Sequence, residues 1–196
     1  MNLSEPIKNR NDLERFKNYY SNIKPNGRNR LLVILGLNTA LRISDILSLK
    51  WNIVYDFTKN IYKDHIVITE KKTGKRTQIY MNSNVLKALK EYRYECEQSN
   101  KTINRNTFLF NHSNKNVPIT RSQAFRIIKE AAQYCDISGV ISCHSLRKTF
   151  GYHAWKQGIS PVLLVTIFNH SSFNVTKRYL GIEQDDRDNI FRNVKL

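Results

Sequence analysis

His144 and Arg147 stand three residues apart in the segment Cys143-His144-Ser145-Leu146-Arg147, on one face of a helix. An imidazole beside a guanidinium suits a phosphate. The guanidinium can grip two oxygens with parallel bonds, and the imidazole can donate a hydrogen bond or move a proton. Taken alone, a His-x-x-Arg pair is more often an ordinary surface pair. Arg42 precedes Asp45 by three residues. The two either form an ion pair at a helix start, worth under about 1 kcal/mol if exposed, or Arg42 is a second phosphate-gripping arginine whose fork Asp45 or the local backbone orients. Two arginines aimed at the non-bridging oxygens of a diester would stabilise the charge that builds there in the transition state. Lys72 lies beside Lys71 and Lys75. It reads either as part of a solvated turn or as a lysine able to protonate a leaving oxygen.

Tyr179 follows His170 by nine residues and is one of ten tyrosines. A core tyrosine is the plain reading. As a nucleophile it starts from a free pKa of about 10, and cationic neighbours would lower the cost of the phenolate. Such an attack needs no metal, and the sequence offers no carboxylate cluster to hold one.

The surroundings of these residues are basic. Lys and Arg number 32 against 16 Asp and Glu, a formal net charge of +16. Such a surface favours a polyanion, nucleic acid first. No acid occurs in residues 71–90, 98–129 or 137–182, while Glu183, Asp185, Asp186 and Asp188 cluster in the tail. Long acid-free stretches fit a face that meets phosphates. Cys96, Cys135 and Cys143 are scattered and form no Cys-x-x-Cys pair. They indicate neither a disulfide framework nor a zinc knuckle, and reduced thiols are expected. The longest apolar run, Leu31 to Leu37, is too short to span a bilayer, and the polar N-terminus lacks a signal-peptide core. With 40% hydrophobic residues the chain can bury a core.

The elements that must position the chemistry are mostly helical. A first helix is expected after a cap at Asn11 or Asp12, broken at Lys24-Pro25-Asn26-Gly27. A buried helix is expected over 29–37 and a short one over 43–49. The β-branched runs 65–69 and 77–80 predict a hairpin with a cationic tip at 71–75, and 51–55 is a candidate third strand. Helices are then expected from a Ser83 cap to about residue 98, from a Thr120 cap to about 135, and over 146–157 ending at Gly158. Two more should follow the Ser160-Pro161 start and carry 176–179, with a helical tail over 183–194. The fold class is mainly α with a small antiparallel sheet (α+β), without internal repeat.

In this order the residues resemble the tyrosine recombinase or phage integrase family. Thr39-Ala40-Leu41-Arg42-Ile43-Ser44-Asp45 looks like its first arginine box, Lys72-Thr73-Gly74 its hairpin lysine motif, and His144-Ser145-Leu146-Arg147 its His-x-Leu-Arg box. His170 and Tyr179 match the spacing from the last box histidine to the nucleophile. The resemblance covers about residues 28 to 182 and implies the catalytic-domain fold of that family. It implies a site-specific DNA recombinase, of integrase or invertase type, that needs neither metal nor ATP and no cofactor. Tyr179 would form a 3′-phosphotyrosyl link and free a 5′-hydroxyl. Arg42 and Arg147 would hold the non-bridging oxygens, Lys72 would act as general acid, His144 as base toward Tyr179, and His170 would hydrogen-bond the phosphate. Asp45 would support Arg42. Lys71, Lys75, Arg76, Lys148, Lys177 and Arg178 are expected to contact double-stranded DNA.

Two positions depart from the pattern. Asn169 stands where glycine is usual, and Lys148 where His or Arg is frequent. The expected organisation is one catalytic domain, with residues 1–27 as helix and linker, 28–182 as core and 183–196 as tail, without a separate core-binding domain. The expected assembly is a monomer when free and a homo-tetramer on paired DNA sites, in the cytoplasm of a bacterial or phage-host cell. Two other functions stay open beside recombination: a catalytically weak DNA-binding regulator with the same fold, and DNA relaxation of the type IB topoisomerase kind.

Overall fold

The structure, a computed structural model, describes residues 4–112, 115–170, 172–180 and 191–194. The helices are α1 (Arg10–Asn18), α2 (Gly27–Asn38), α3 (Ile43–Leu47), α4 (Trp51–Val54), α5 (Ser83–Gln98), α6 (Arg121–Tyr134), α7 (Cys143–Lys156), α8 (Pro161–Ile167) and α9 (Phe173–Leu180). Three two-stranded antiparallel pieces accompany them: β1 (Tyr55–Asp56) with β2 (Ile61–Tyr62), β3 (His65–Thr69) with β4 (Arg76–Tyr80), and β5 (Asn111–His112) with β6 (Lys115–Pro118).

Helix α2 is the axis of the core. Leu31 through Leu37 are all buried, so the helix is apolar on every side. Helix α5 packs along it, and Tyr92 of α5 stacks on the buried Trp51. Helix α7 also packs against α2. The crossing is close because Gly36 faces Leu146: a Cβ at Gly36 would lie 2.3 Å from Leu146 Cδ1 and 3.0 Å from its Cβ. Helices α8 and α9 close the C-terminal side through a separate small cluster of Ala40, Leu164, Phe168 and Leu180.

The first helix begins two or three residues earlier than its sequence suggests. Asn9 is the cap, its side chain accepting from the N–H groups of Asn11 and Asp12. Helix α1 runs into a π-helical turn, Tyr19–Ile23, and Phe16, Tyr19 and Tyr20 are buried in the main core. Helix α1 and the π-helical turn thus add three aromatic side chains to that core. Residues 51–54 form a helical turn and not a strand. Trp51 must turn inward, and its N–H is taken by the Thr107 carbonyl; tertiary packing overrides the β-branched composition here. Asn82, not Ser83, caps α5, and Ser142 caps α7, three residues earlier than expected. The hairpin β3–β4 has the expected place and a five-residue register from His65↔Tyr80 to Thr69↔Arg76. The Thr120 cap of α6, the Gly158 stop (φ 86°) and the Ser160-Pro161 start are as the sequence indicates, and Gln123 completes a capping box with Thr120. The expected tail helix over 183–194 falls mostly outside the described residues.

Because α7 is seated through Gly36, this glycine sets the depth of the helix that bears His144 and Arg147. Gly36→Ala forces α7 outward by a few tenths of an ångström. It should destabilise the protein by about 1–2 kcal/mol, overpacking outweighing the gain in helix propensity. Thermal denaturation should then show a Tm lowered by roughly 3–6 °C; an unchanged or raised Tm would mean that the crossing is loose.

Candidate active site

Arg147 lies one turn into α7 and is 2% exposed. Its two terminal nitrogens donate to backbone carbonyls: Nη1 to Ala40 O, and Nη2 to Phe168 O at 2.6 Å. Its guanidinium lies over the Phe168 ring at 4.8 Å. Ala40 adopts a positive φ of 55°, rare for alanine, and its carbonyl meets the arginine in that turn. Burial, with Arg42 nearby, pushes the Arg147 pKa down to about 10, so it stays charged at neutral pH.

The Tyr179 hydroxyl lies 2.9 Å from His144 Nε2. Helix α9 brings the tyrosine against α7, and its ring also meets His170 edge-on, with centroids 4.5 Å apart. His170 stacks on Phe168, and its Nδ1 is 2.9 Å from the hydroxyl of the buried Thr176. Both histidines resist protonation. His144 is held below its usual pKa by loss of water and by the charges of Arg147, Lys148, Arg42 and Lys72. His170 is pushed to about 4 by burial and by Arg147, Arg42, His144 and Lys72. A neutral imidazole hydrogen-bonded to a phenol is an arrangement suited to taking its proton.

Arg42 is the residue before α3, and its Nη1 pairs with Glu70 rather than with Asp45. Glu70 is 2% exposed and directly follows strand β3. Besides Arg42 it accepts from Thr73 (3.1 Å), Thr77 (3.1 Å) and Asn169 Nδ2 (2.7 Å). Burial works to raise its pKa, but these donors outweigh it and hold the carboxyl below its usual range. Asp45 has a different task from the one expected: it is buried, and its Oδ1 accepts the Lys71 backbone N–H at 3.0 Å. It therefore holds the hairpin tip on which Lys72 stands exposed.

Lys71, Lys75 and Arg76 are exposed on that hairpin, and Lys177 is half-buried on α9. The Arg178 side chain lies outside the described residues. Lys148 differs from the expectation of a DNA contact. It is 8% exposed, its Nζ donates to Ser4 O at 2.5 Å, and it lies 5.4 Å from the Tyr179 ring centre. At its place on α7 it faces inward, under the tyrosine, where the extended segment before α1 covers it.

Glu70 is the residue that sequence reasoning missed. A signal was present: it is the last acid before the acid-free stretch 71–90, two residues from Lys72. Asn169 also finds its reason here. Its φ is 49°, a conformation glycine adopts freely and asparagine best among the other residues, and its side chain adds the bond to Glu70.

Residues 9–185 match the sequence model of the phage integrase family. The chain belongs to that family, the tyrosine-type site-specific recombinases. It is 40% identical to a probable integrase/recombinase, YoeC, of Bacillus subtilis (strain 168), over 94% of this chain and 93% of that one. It is 31% identical to the TnP I resolvase of Bacillus thuringiensis over 81% of this chain, which spans 51% of that protein. Among solved structures, XerA recombinase superposes with a TM-score of 0.75 at 21% identity, covering 99% of this chain and 68% of that one. XerH recombinase in a post-cleavage complex with palindromic difH substrate gives 0.76 at 20% identity, covering 94% and 51%. At such identities these two speak for the fold.

The depressed His170 pKa makes stability depend on pH. In the unfolded chain a histidine takes its proton near pH 6.5, whereas folded His170 takes it only near 4. Between these values the unfolded state binds more protons, so stability falls as pH drops from about 6.5 to about 4. Urea denaturation at pH 7 and pH 4.5 should show His170→Gln losing less stability than wild type on acidification, by on the order of 1 kcal/mol after solvent screening. Equal losses in the two proteins would show that His170 titrates normally.

Proposed function

We propose that this recombinase cuts and rejoins double-stranded DNA through a covalent bond between Tyr179 and a 3′-phosphate. The contact of the Tyr179 hydroxyl with His144 Nε2 is the observation that carries the reading. With its own proton on Nδ1, His144 accepts the phenol proton as the tyrosine oxygen attacks phosphorus. The bond from phosphorus to the 5′-oxygen breaks, and Lys72 delivers a proton to that oxygen, leaving a 5′-hydroxyl. Arg42 and Arg147 face the charge that develops on the non-bridging oxygens. His170, with Nδ1 engaged by Thr176, offers Nε2 to the phosphate. Attack by a 5′-hydroxyl from another strand reverses the steps and releases Tyr179. Because the ester energy is kept in the phosphotyrosine, the cycle draws on no ATP, and the two arginines and Lys72 supply the positive charge. The solved relative bound to its difH substrate supports DNA as the partner, as does the net charge of +16. Exposed Lys71, Lys75 and Arg76 would meet the backbone.

Tyr179→Phe should abolish covalent protein–DNA adducts on nicked suicide duplexes in EDTA while leaving duplex affinity within about twofold, since a lost hydroxyl removes little binding. Adducts from the variant would move the nucleophile elsewhere; adducts that need added magnesium would sink the metal-free chemistry.

We propose further that protomers, monomeric when free, assemble as a tetramer on paired sites through the segment after Tyr179. Of its acidic and apolar residues, Glu183, Asp185, Asp186 and Asp188 lie outside the described residues, while Phe191 and Val194 are 83% and 57% exposed. Deleting residues 183–196 should remove DNA-bound tetramers in light scattering yet spare cleavage of a single site. Tetramers that persist would reduce the tail to a structural element.

A further inference from the structure

Glu70 sits where three separately positioned parts of the site meet. Arg42 reaches it from the start of α3, Thr73 and Thr77 from the hairpin that carries Lys72, and Asn169 from the turn that carries His170. Its backbone is also tied into the tip, with its N–H donating to Lys75 O and its carbonyl accepting from Gly74 N. Four side-chain donors therefore converge on the two oxygens of one carboxylate that is 2% exposed. An ionised carboxylate so enclosed is stable only while its donors stay in place, which makes the cluster a geometric reference for the groups around it. The Asn169 turn is anchored independently, by Asn169 N–H to Thr166 O and His170 N–H to Val165 O. Its amide can therefore act as a fixed arm.

We propose that Glu70 and Asn169 are positioning residues for the cleavage step: Asn169 holds the Glu70 carboxylate, and Glu70 holds the Arg42 guanidinium at the angle from which it meets the scissile phosphate. Neither touches DNA. The proposal rests on the recombinase reading given above. Asn169 thus does two separable things, adopting a positive φ and supplying an amide. Glycine at 169 keeps the first and deletes the second.

The test uses the full chain and a nicked duplex selected from a random-sequence library for covalent capture by the wild-type protein. A second duplex of the same sequence carries a methylphosphonate at the scissile position. There one charged oxygen is replaced by a methyl group, and the exact placement of an arginine matters less. Asn169→Gly should leave Tm and the half-saturating DNA concentration close to wild type. It should slow single-turnover capture of the phosphate duplex about tenfold, an angular error in one charged group costing at least that much. Glu70→Gln, which keeps the shape and loses the charge, should slow the phosphate duplex at least as much. Capture of the methylphosphonate duplex, relative to wild type, should be slowed less than threefold by either variant. Equal slowing of both duplexes means a general structural defect and overturns the proposal, as does wild-type speed of Asn169→Gly on the phosphate duplex. A wild-type chain that captures no duplex at all instead overturns the recombinase reading, and this proposal with it.

Discussion

Burying the Arg147 guanidinium is the constraint on which the rest of the site depends. A cation taken out of water needs partners in the interior, and here the two terminal nitrogens donate to main-chain carbonyls at Ala40 and Phe168 while the buried Nε has no hydrogen-bond partner. One side chain thereby ties α7 to the turn between α2 and α3 and to the end of α8. The Ala40 turn accepts an unfavourable φ at the point where it meets the arginine, and Phe168 supplies both the carbonyl and the ring beneath the guanidinium. The same Phe168 packs against Gly151 and His170. The arginine, the histidine and the helix α9 that bears Tyr179 are therefore referred to one packed unit.

A second buried charge balances the first at a distance. Glu70 pairs with Arg42, and its charge also favours that of Arg147. It is an acid in the middle of a basic surface, kept ionised by hydrogen bonds from Asn169 and Thr77 and by the Arg42 pair. Asp45 adds a second favourable charge for Arg147, after that of Glu70. Asp45 holds the hairpin at a second point, through the Lys71 N–H. The lysine-bearing tip is thus fixed at its root while Lys72 itself stays in solvent.

The cationic surroundings also set the histidines. Both are disfavoured as cations, so they enter the site as neutral hydrogen-bonding groups, one beside the phenol and one stacked on Phe168. Excess positive charge is therefore carried by arginine and lysine, while a neutral imidazole is left beside the phenol to take its proton. The extended N-terminal segment contributes to this balance by taking the Lys148 ammonium onto the Ser4 carbonyl beneath the tyrosine ring.

The sequence by itself determined the family, the order of the candidate site residues and most helix limits, because these are written in local signals. Helical spacing puts His144 and Arg147 on one face, caps and stops mark α6, α7 and α8, and β-branched runs around Lys-Lys-Thr-Gly-Lys mark the hairpin. It did not disclose that residues 51–54 turn as a helix, since that depends on where Trp51 finds a pocket against Tyr92. Nor did it separate Lys148, turned inward, from Lys71 and Lys75, turned outward, because a lysine reads the same in either setting. The partner of Arg42 was decided only by tertiary structure. Asp45 is three residues away and Glu70 is 28, yet the chain folds the distant carboxylate against the arginine and gives the near one to the hairpin backbone. Local spacing bounds which groups can meet within one helix; which charges meet across helices is set by packing, and a buried ion goes to whichever partner the packed core brings within hydrogen-bond reach.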